Sequence, residues 1–215
     1  LLNHFNEESN SIDFAKLEET IHIALRILDN VIDLNFYPTK EAENSNLKNR
    51  PVGLGMMALH DVLHKMNIKI DSAEAIAFSD RLFEFYSMHA IYSSSTLAVE
   101  RGQYETYKGS LWSKNVFPID SYNNLMIYRG KQSESKTGDG QTLEEWSKVR
   151  QHVAEFGMRN SNVMAIAPTA TIGYINGVEQ SIEPNFSVLF VYENKSGNFF
   201  ITNEHFVKDM KDRGL

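Results

Sequence analysis

The sequence predicts an α/β fold, on three observations. One long stretch repeats apolar residues at helical spacing and a second is opened by a capping box, short apolar runs of strand length appear late in the chain, and the strands follow helices that could cover them. Helices outnumber strands. At 215 residues and 42% hydrophobic content, the chain has room for one sizeable core, and 1–215 is read as a single domain.

The first helix is expected over Ile12–Leu34. Leu17, Ile21, Ala24, Leu25, Leu28 and Ile32 share one face, Asp13 is placed to cap it, and Pro38 lies beyond its end. Glu41–Asn49 is polar and reads as a surface loop. Arg50-Pro51-Val52-Gly53-Leu54-Gly55 follows, then Met56–Met66. Its two glycines suggest close backbone approach; the spacing matches neither the dinucleotide fingerprint nor the P-loop. Asp71 and Glu74 form a capping box for a long helix to about Arg101, stopped by Gly102. At ~1.5 Å per residue that helix would be roughly 45 Å long.

Gln103–Tyr128 reads as a loop whose aromatic residues pin it to the core. Gly130–Gly140 is polar, a candidate flexible tip. Thr142 and Glu145 make a second capping box, opening a helix over Leu143–Phe156 that Gly157 closes. Asn162–Ala167 reads as a short buried strand, Ile182–Tyr192 and Phe199–Thr202 as two more, with Lys195-Ser196-Gly197 turning between them. Asn203 is placed to cap a last helix ending before Gly214.

Composition excludes several classes of function. The net charge of −7, from 28 acidic and 21 basic residues, argues against sequence-independent nucleic-acid binding. No run has the ~18–20 apolar residues of a membrane span. The absence of cysteine rules out disulfides and thiol chemistry within these residues. No signal-peptide pattern follows Leu1, and Leu1–Phe5 reads as the middle of a larger protein.

The strongest local signal for chemistry is Asn162–Gly173. An apolar strand runs to Pro168, and the small-residue turn Thr169-Ala170-Thr171-Ile172-Gly173 follows. Small residues let successive N–H groups point outward together, a nest that suits phosphate, with the threonine hydroxyls adding hydrogen bonds. The plainer alternative is a strand–loop turn with Thr169 as a helix cap. His60 and His64, at i and i+4, have the spacing of a zinc-protease helix, but Asp61 stands where that motif carries glutamate and no third ligand is identifiable. Two histidines near a surface is the plainer reading, and no metal site is expected. Glu183 is either a buried partner for Arg159 or faces water.

Residues 146–171 (WSKVRQHVAEFGMRNSNVMAIAPTAT) resemble a segment of ribonucleotide reductase large chains. The matching residues are Trp146, Gly157-Met158-Arg159-Asn160, Ala165, Pro168 and Ala170-Thr171; Val149 departs from the usual Leu or Phe. The likeness continues through Ser181-Ile182-Glu183-Pro184 and upstream through RPVGLGMMALHDVL. It implies the second half of the ten-stranded α/β barrel of those chains, the part without the redox cysteines or the finger loop. By resemblance, Thr169, Ala170, Thr171 and Ile172 would hold the substrate diphosphate, with no catalytic residue in these 215. Some relatives have a hydroxyl residue where Ile172 stands.

The adenosylcobalamin-dependent branch has a similar loop. Ala170, where that branch tends to have glycine, and the Ser181–Pro184 context favour the diphosphate enzyme. The resemblance further implies a radical-generating small subunit that holds the metal or radical cofactor, allosteric nucleotides bound outside this segment, a homodimer of the full large chain, and a cytoplasmic location. The rivals are a stand-alone nucleotide-binding module, a helical interaction domain built on 71–101, and a metallohydrolase using His60 and His64.

Overall fold

The computed structural model describes residues 1–130 and 140–215. The chain divides into two compact units: Leu1–Leu17, Gly55–Leu82 and Ile166–Leu215 form the first, and Glu18–Leu54 with Phe83–Ala165 form the second.

In the first unit, β1 (Phe5–Asn6) pairs antiparallel with β2 (Ser11–Ile12). Helix α1 (Phe14–Leu34) starts two residues later than the periodicity suggests, because Ile12 belongs to β2. Asp13 does cap it, accepting from the Lys16 N–H at 3.0 Å. Helix α2 (Lys40–Asn49) replaces the loop expected over 41–49. It has few apolar residues to reveal it, but Thr39 caps it by accepting from the Ala42 N–H, and Glu41 and Glu43 sit at its positive end.

Helix α3 (Leu59–Lys65) buries Leu59, Val62 and Leu63 in the first unit. Helix α4 (Ala73–Arg101) has 29 residues, close to the expected length. The cap is displaced by one position from the Asp71–Glu74 box, since the Ser72 hydroxyl accepts from the Ala75 N–H at 3.1 Å. The aromatic loop holds a helix of its own, α5 (Pro118–Tyr128), with Pro118 in its first turn and the Asp120 carboxylate accepting from the Phe117 N–H. Its aromatics do pin the segment inward: Tyr104 and Phe117 are buried, and the Trp112 indole N–H donates to the Ser161 carbonyl.

Helix α6 runs over Gly140–Phe156, three residues ahead of the expected start, and Gly157 closes it with φ 77°. The Thr142 side chain and residues 131–139 lie outside what is described, and with them the expected capping box and flexible tip. Two short helices, α7 (Ala170–Asn176) and α8 (Glu204–Asp212), flank the hairpin of β3 (Leu189–Asn194) and β4 (Gly197–Thr202). Asn203 caps α8 as expected, accepting from the Phe206 N–H.

Two expected strands are corrected. Residues 182–188 of the second are not in a strand; pairing begins only at Leu189, where β4 supplies a partner. Asn162–Ala167 is extended but forms no regular strand, and Ile166 and Ala167 are exposed. Its partner is the glycine segment: Val52 and Leu54 N–H groups donate to the Asn162 and Val163 carbonyls, and a single parallel bridge joins Leu54 to Met164. Gly53 allows this approach, since a Cβ there would meet the Ala165 Cβ at 2.9 Å. No described helix is long and apolar enough to cross a membrane.

Candidate functional site

The turn singled out in the sequence lies in the first unit at the start of α7. Thr169 takes a left-handed conformation (φ 48°, ψ 25°) and Ala170 begins the helix. A left-handed residue followed by a right-handed one turns successive N–H groups to one side, the nest arrangement. The N–H groups of Ala170, Thr171 and Ile172 make no hydrogen bond among the described residues; the first α7 bond is Gly173 N–H to the Thr169 carbonyl. Ala170, Thr171 and Ile172 are exposed. Three adjacent donors therefore face outward without a protein acceptor.

The turn is held from beneath. A β-branched residue at positive φ is strained, and such strain persists only where its surroundings enforce it. The Thr169 hydroxyl accepts from the Ser181 N–H at 2.7 Å. Thr169 occupies the N-cap position, but its hydroxyl is used for this tie and not for capping. Ser181 is buried and itself left-handed, with φ 51°. Gly173 packs so closely on the returning chain that a Cβ would meet the Val178 carbonyl at 3.1 Å. Tyr174 lies 5.0 Å, ring to ring, from Tyr192 of β3.

Helix α3 anchors that returning chain. The buried Asp61 carboxylate accepts from the Glu179 N–H at 2.7 Å, and the Ala58 N–H donates to the Glu179 carbonyl at 3.0 Å. The other Asp61 oxygen lies 3.0 Å from His205 Nε2. Burial pushes the Asp61 carboxyl up, but the bonds to His205 and Glu179 outweigh it and hold the group below the usual carboxylate range. Asp61, Glu179 and Ser181 were not identified as supports from the sequence. The available signal was an acidic residue inside the apolar run Leu59–Leu63.

His60 and His64 share a face, their rings 4.2 Å apart, and His205 stacks on His64 at 5.1 Å. Burial holds both His60 and His64 below the usual imidazole range. The hydrolase reading loses support. His60 Nδ1 accepts from the Asn185 N–H at 2.9 Å, and Asp61, in the place of the catalytic glutamate, is committed to backbone and His205. Glu183 is exposed. A cavity of about 310 Å³ lined by Thr202, Glu204, Val207, Lys208 and Lys211 does not include the turn.

The other motif residues assemble in the second unit around Asp29, which is fully buried. One of its oxygens accepts from Arg50 Nε at 2.8 Å and Asn160 Nδ2 at 3.1 Å; the other accepts from Arg101 at 2.9 Å and Arg159 at 3.4 Å. Arg50 also forks onto Asp33 with two bonds of 2.7 Å. Asn160 is locked by the Ser94 hydroxyl and donates to the Arg50 carbonyl. Burial drives the Asp29 carboxyl up, yet the three guanidiniums, Arg50 foremost, hold it below its ordinary range. Burial would lower Arg50, and the bonds to Asp33 and Asp29 raise it instead. Arg50, Arg159 and Asn160 are thus structural, and Arg159 is partnered by Asp29.

The comparisons with known proteins agree with the motif residues. The family model described as ribonucleotide reductase, barrel domain, matches residues 1–215. The chain is 50% identical over 207 residues to the ribonucleoside-diphosphate reductase subunit alpha of Chlamydia pneumoniae, covering 96% of this chain and 20% of that protein. It is 36% identical over 214 residues to the ribonucleoside-diphosphate reductase large subunit of Danio rerio, covering 100% of this chain and 25% of the relative. It therefore spans a fifth to a quarter of the length of these relatives. With the motifs, the α/β pattern and the full-length match in agreement, this chain belongs to the ribonucleotide reductase barrel-domain family.

Proposed function

We propose that the turn Thr169-Ala170-Thr171-Ile172 binds the diphosphate of a ribonucleoside diphosphate within the large chain of a ribonucleotide reductase. The observation that carries this reading is the row of N–H donors on Ala170, Thr171 and Ile172, which make no hydrogen bond among the described residues, on a turn tied down by Ser181 and α3. Fixed main-chain dipoles suit an anion without requiring a basic side chain. The Thr169 oxygen accepts from Ser181, so its hydrogen remains to be donated, and the exposed Thr171 hydroxyl adds a second donor.

In this reading the complete chain reduces the substrate at the 2′ carbon and this segment orients it, a positioning role. Radical generation and its metal or radical cofactor belong to a separate small subunit. Allosteric nucleotides bind elsewhere in a large chain that works as a dimer. The names of the relatives favour a diphosphate substrate. The isolated 215 residues would have no reductase activity.

The test is Thr171→Val in the full-length large chain, assayed with its small subunit. A hydrogen bond to a charged group is worth about 1.5–3 kcal/mol, so KM or Kd for the diphosphate should rise roughly ten- to a hundredfold. Weak binding of the phosphate-free nucleoside should not change. Equal loss for both ligands, or for neither, would sink the assignment.

A further inference from the structure

We propose that Glu18, His22 and His89, in the second unit, form a binding site for a first-row divalent transition ion such as Zn²⁺, Co²⁺ or Ni²⁺. One ligand atom from each lies within 4.8 Å of the others, the grouping of three metal-ligating side chains found among the described residues. Glu18 and His22 are one turn apart on α1, and His89 comes from α4. Glu18 Oε1 is the shared point, 3.3 Å from His89 Nδ1 and 3.7 Å from His22 Nε2. Tetrahedral coordination at 2.0–2.1 Å places ligand atoms about 3.3–3.4 Å apart, so two edges stand near coordination distance. Glu18 and His22, with 46% and 30% of their side-chain surface exposed, are free to close the third.

One further observation favours a cation over a simple ion pair. His89 Nδ1 is buried and makes no hydrogen bond among the described residues, although Glu18 lies 3.3 Å away. A divalent ion would satisfy the buried nitrogen and use the negative charge already present. The His89 ring is also held in place, packed 4.1 Å from Phe85. Two imidazoles and one carboxylate with an open position suit zinc and its neighbours, in preference to calcium or magnesium. The ion would clasp α1 to α4, a role separate from the diphosphate turn. This departs from the expectation, read from sequence, of no metal site.

The experiment uses the full-length large chain, stripped with chelator and dialysed against Co²⁺, beside Glu18→Gln, His22→Gln and His89→Gln. The native chain should retain one more ion than each variant. Affinity should fall by more than the roughly tenfold that loss of an outer-shell partner costs. Co²⁺ should raise the melting temperature of the native chain alone. If His89→Gln fails to fold, the more exposed Glu18 and His22 variants carry the comparison. Equal retention by native and variant chains would place any bound ion elsewhere in the longer chain and overturn the proposal, as would an unchanged melting temperature.

Discussion

Two residues illustrate how much a single position decides. Asp29 sits on the buried face of α1, yet it is the group on which three arginines and Asn160 converge. Removing one partner of a buried pair costs about 3–5 kcal/mol, because the other charges stay buried without compensation. Asp29→Asn should therefore lower the melting temperature of the intact large chain by several degrees and increase protease sensitivity; an unchanged melt would contradict the hub. The Asp29 carboxyl is depressed below the ordinary aspartate value of 3.8, so its contribution is present above that pH and is lost as the pH falls through the folded value. Gly53 is the second case. Gly53→Ala would drive a Cβ to 2.9 Å from that of Ala165, a rigid neighbour. Overpacking of this kind costs ~1–3 kcal/mol, and a measured stability equal to that of the native chain would show that the 52–54 and 162–165 segments can separate freely.

At the scale of elements, α3 matters more than its seven residues suggest. Its Asp61 and Ala58 grip Glu179, two residues from the Ser181 that latches Thr169. His60 and His64 on the same helix are held below the ordinary imidazole value of 6.5 by burial. A histidine with a depressed folded pKa stabilises above the unfolded value and loses that contribution as pH falls through the folded one. The groups facing this pair are Asp61, His205, Asp209 and the Asn185 N–H. Acidification from pH 7.5 to about 5.5 should therefore lower hydrogen-exchange protection, measured against the intrinsic rate at each pH, at 178–186 before it affects α4; a uniform loss of protection across both would refute the link. Helix α1 was legible from its periodic apolar face, and α4 and α8 from residues placed to cap them. Helix α2 was not, because its stability rests on Thr39 and end charges and not on an apolar stripe. The apolar run 162–167 has the composition of a buried strand yet makes only one bridge, since pairing depends on what the fold brings alongside.

For the molecule as a whole, the pattern of exposure matters. Ile172, Ile175, Phe186, Leu189 and Phe200 are exposed in the first unit, Phe186 to 87%. Exposed apolar side chains in this number favour association. The 215 residues expressed alone are expected to self-associate in sedimentation velocity; a monodisperse monomer with a cooperative melt would contradict that. The turn residues were legible because small residues after an apolar run have a direct physical meaning. Their supports were not, because Asp61, Glu179 and Ser181 reach Thr169 only through folding. The Asp29 hub was hidden for the same reason, its partners lying up to 131 positions away.

The paired left-handed residues, Thr169 and Ser181, have a thermodynamic consequence. A receptor assembled before its guest arrives forfeits little chain freedom on capture. Capture of an anion there should thus lack the large entropic penalty of a folding loop, and calorimetry should find a small heat-capacity change.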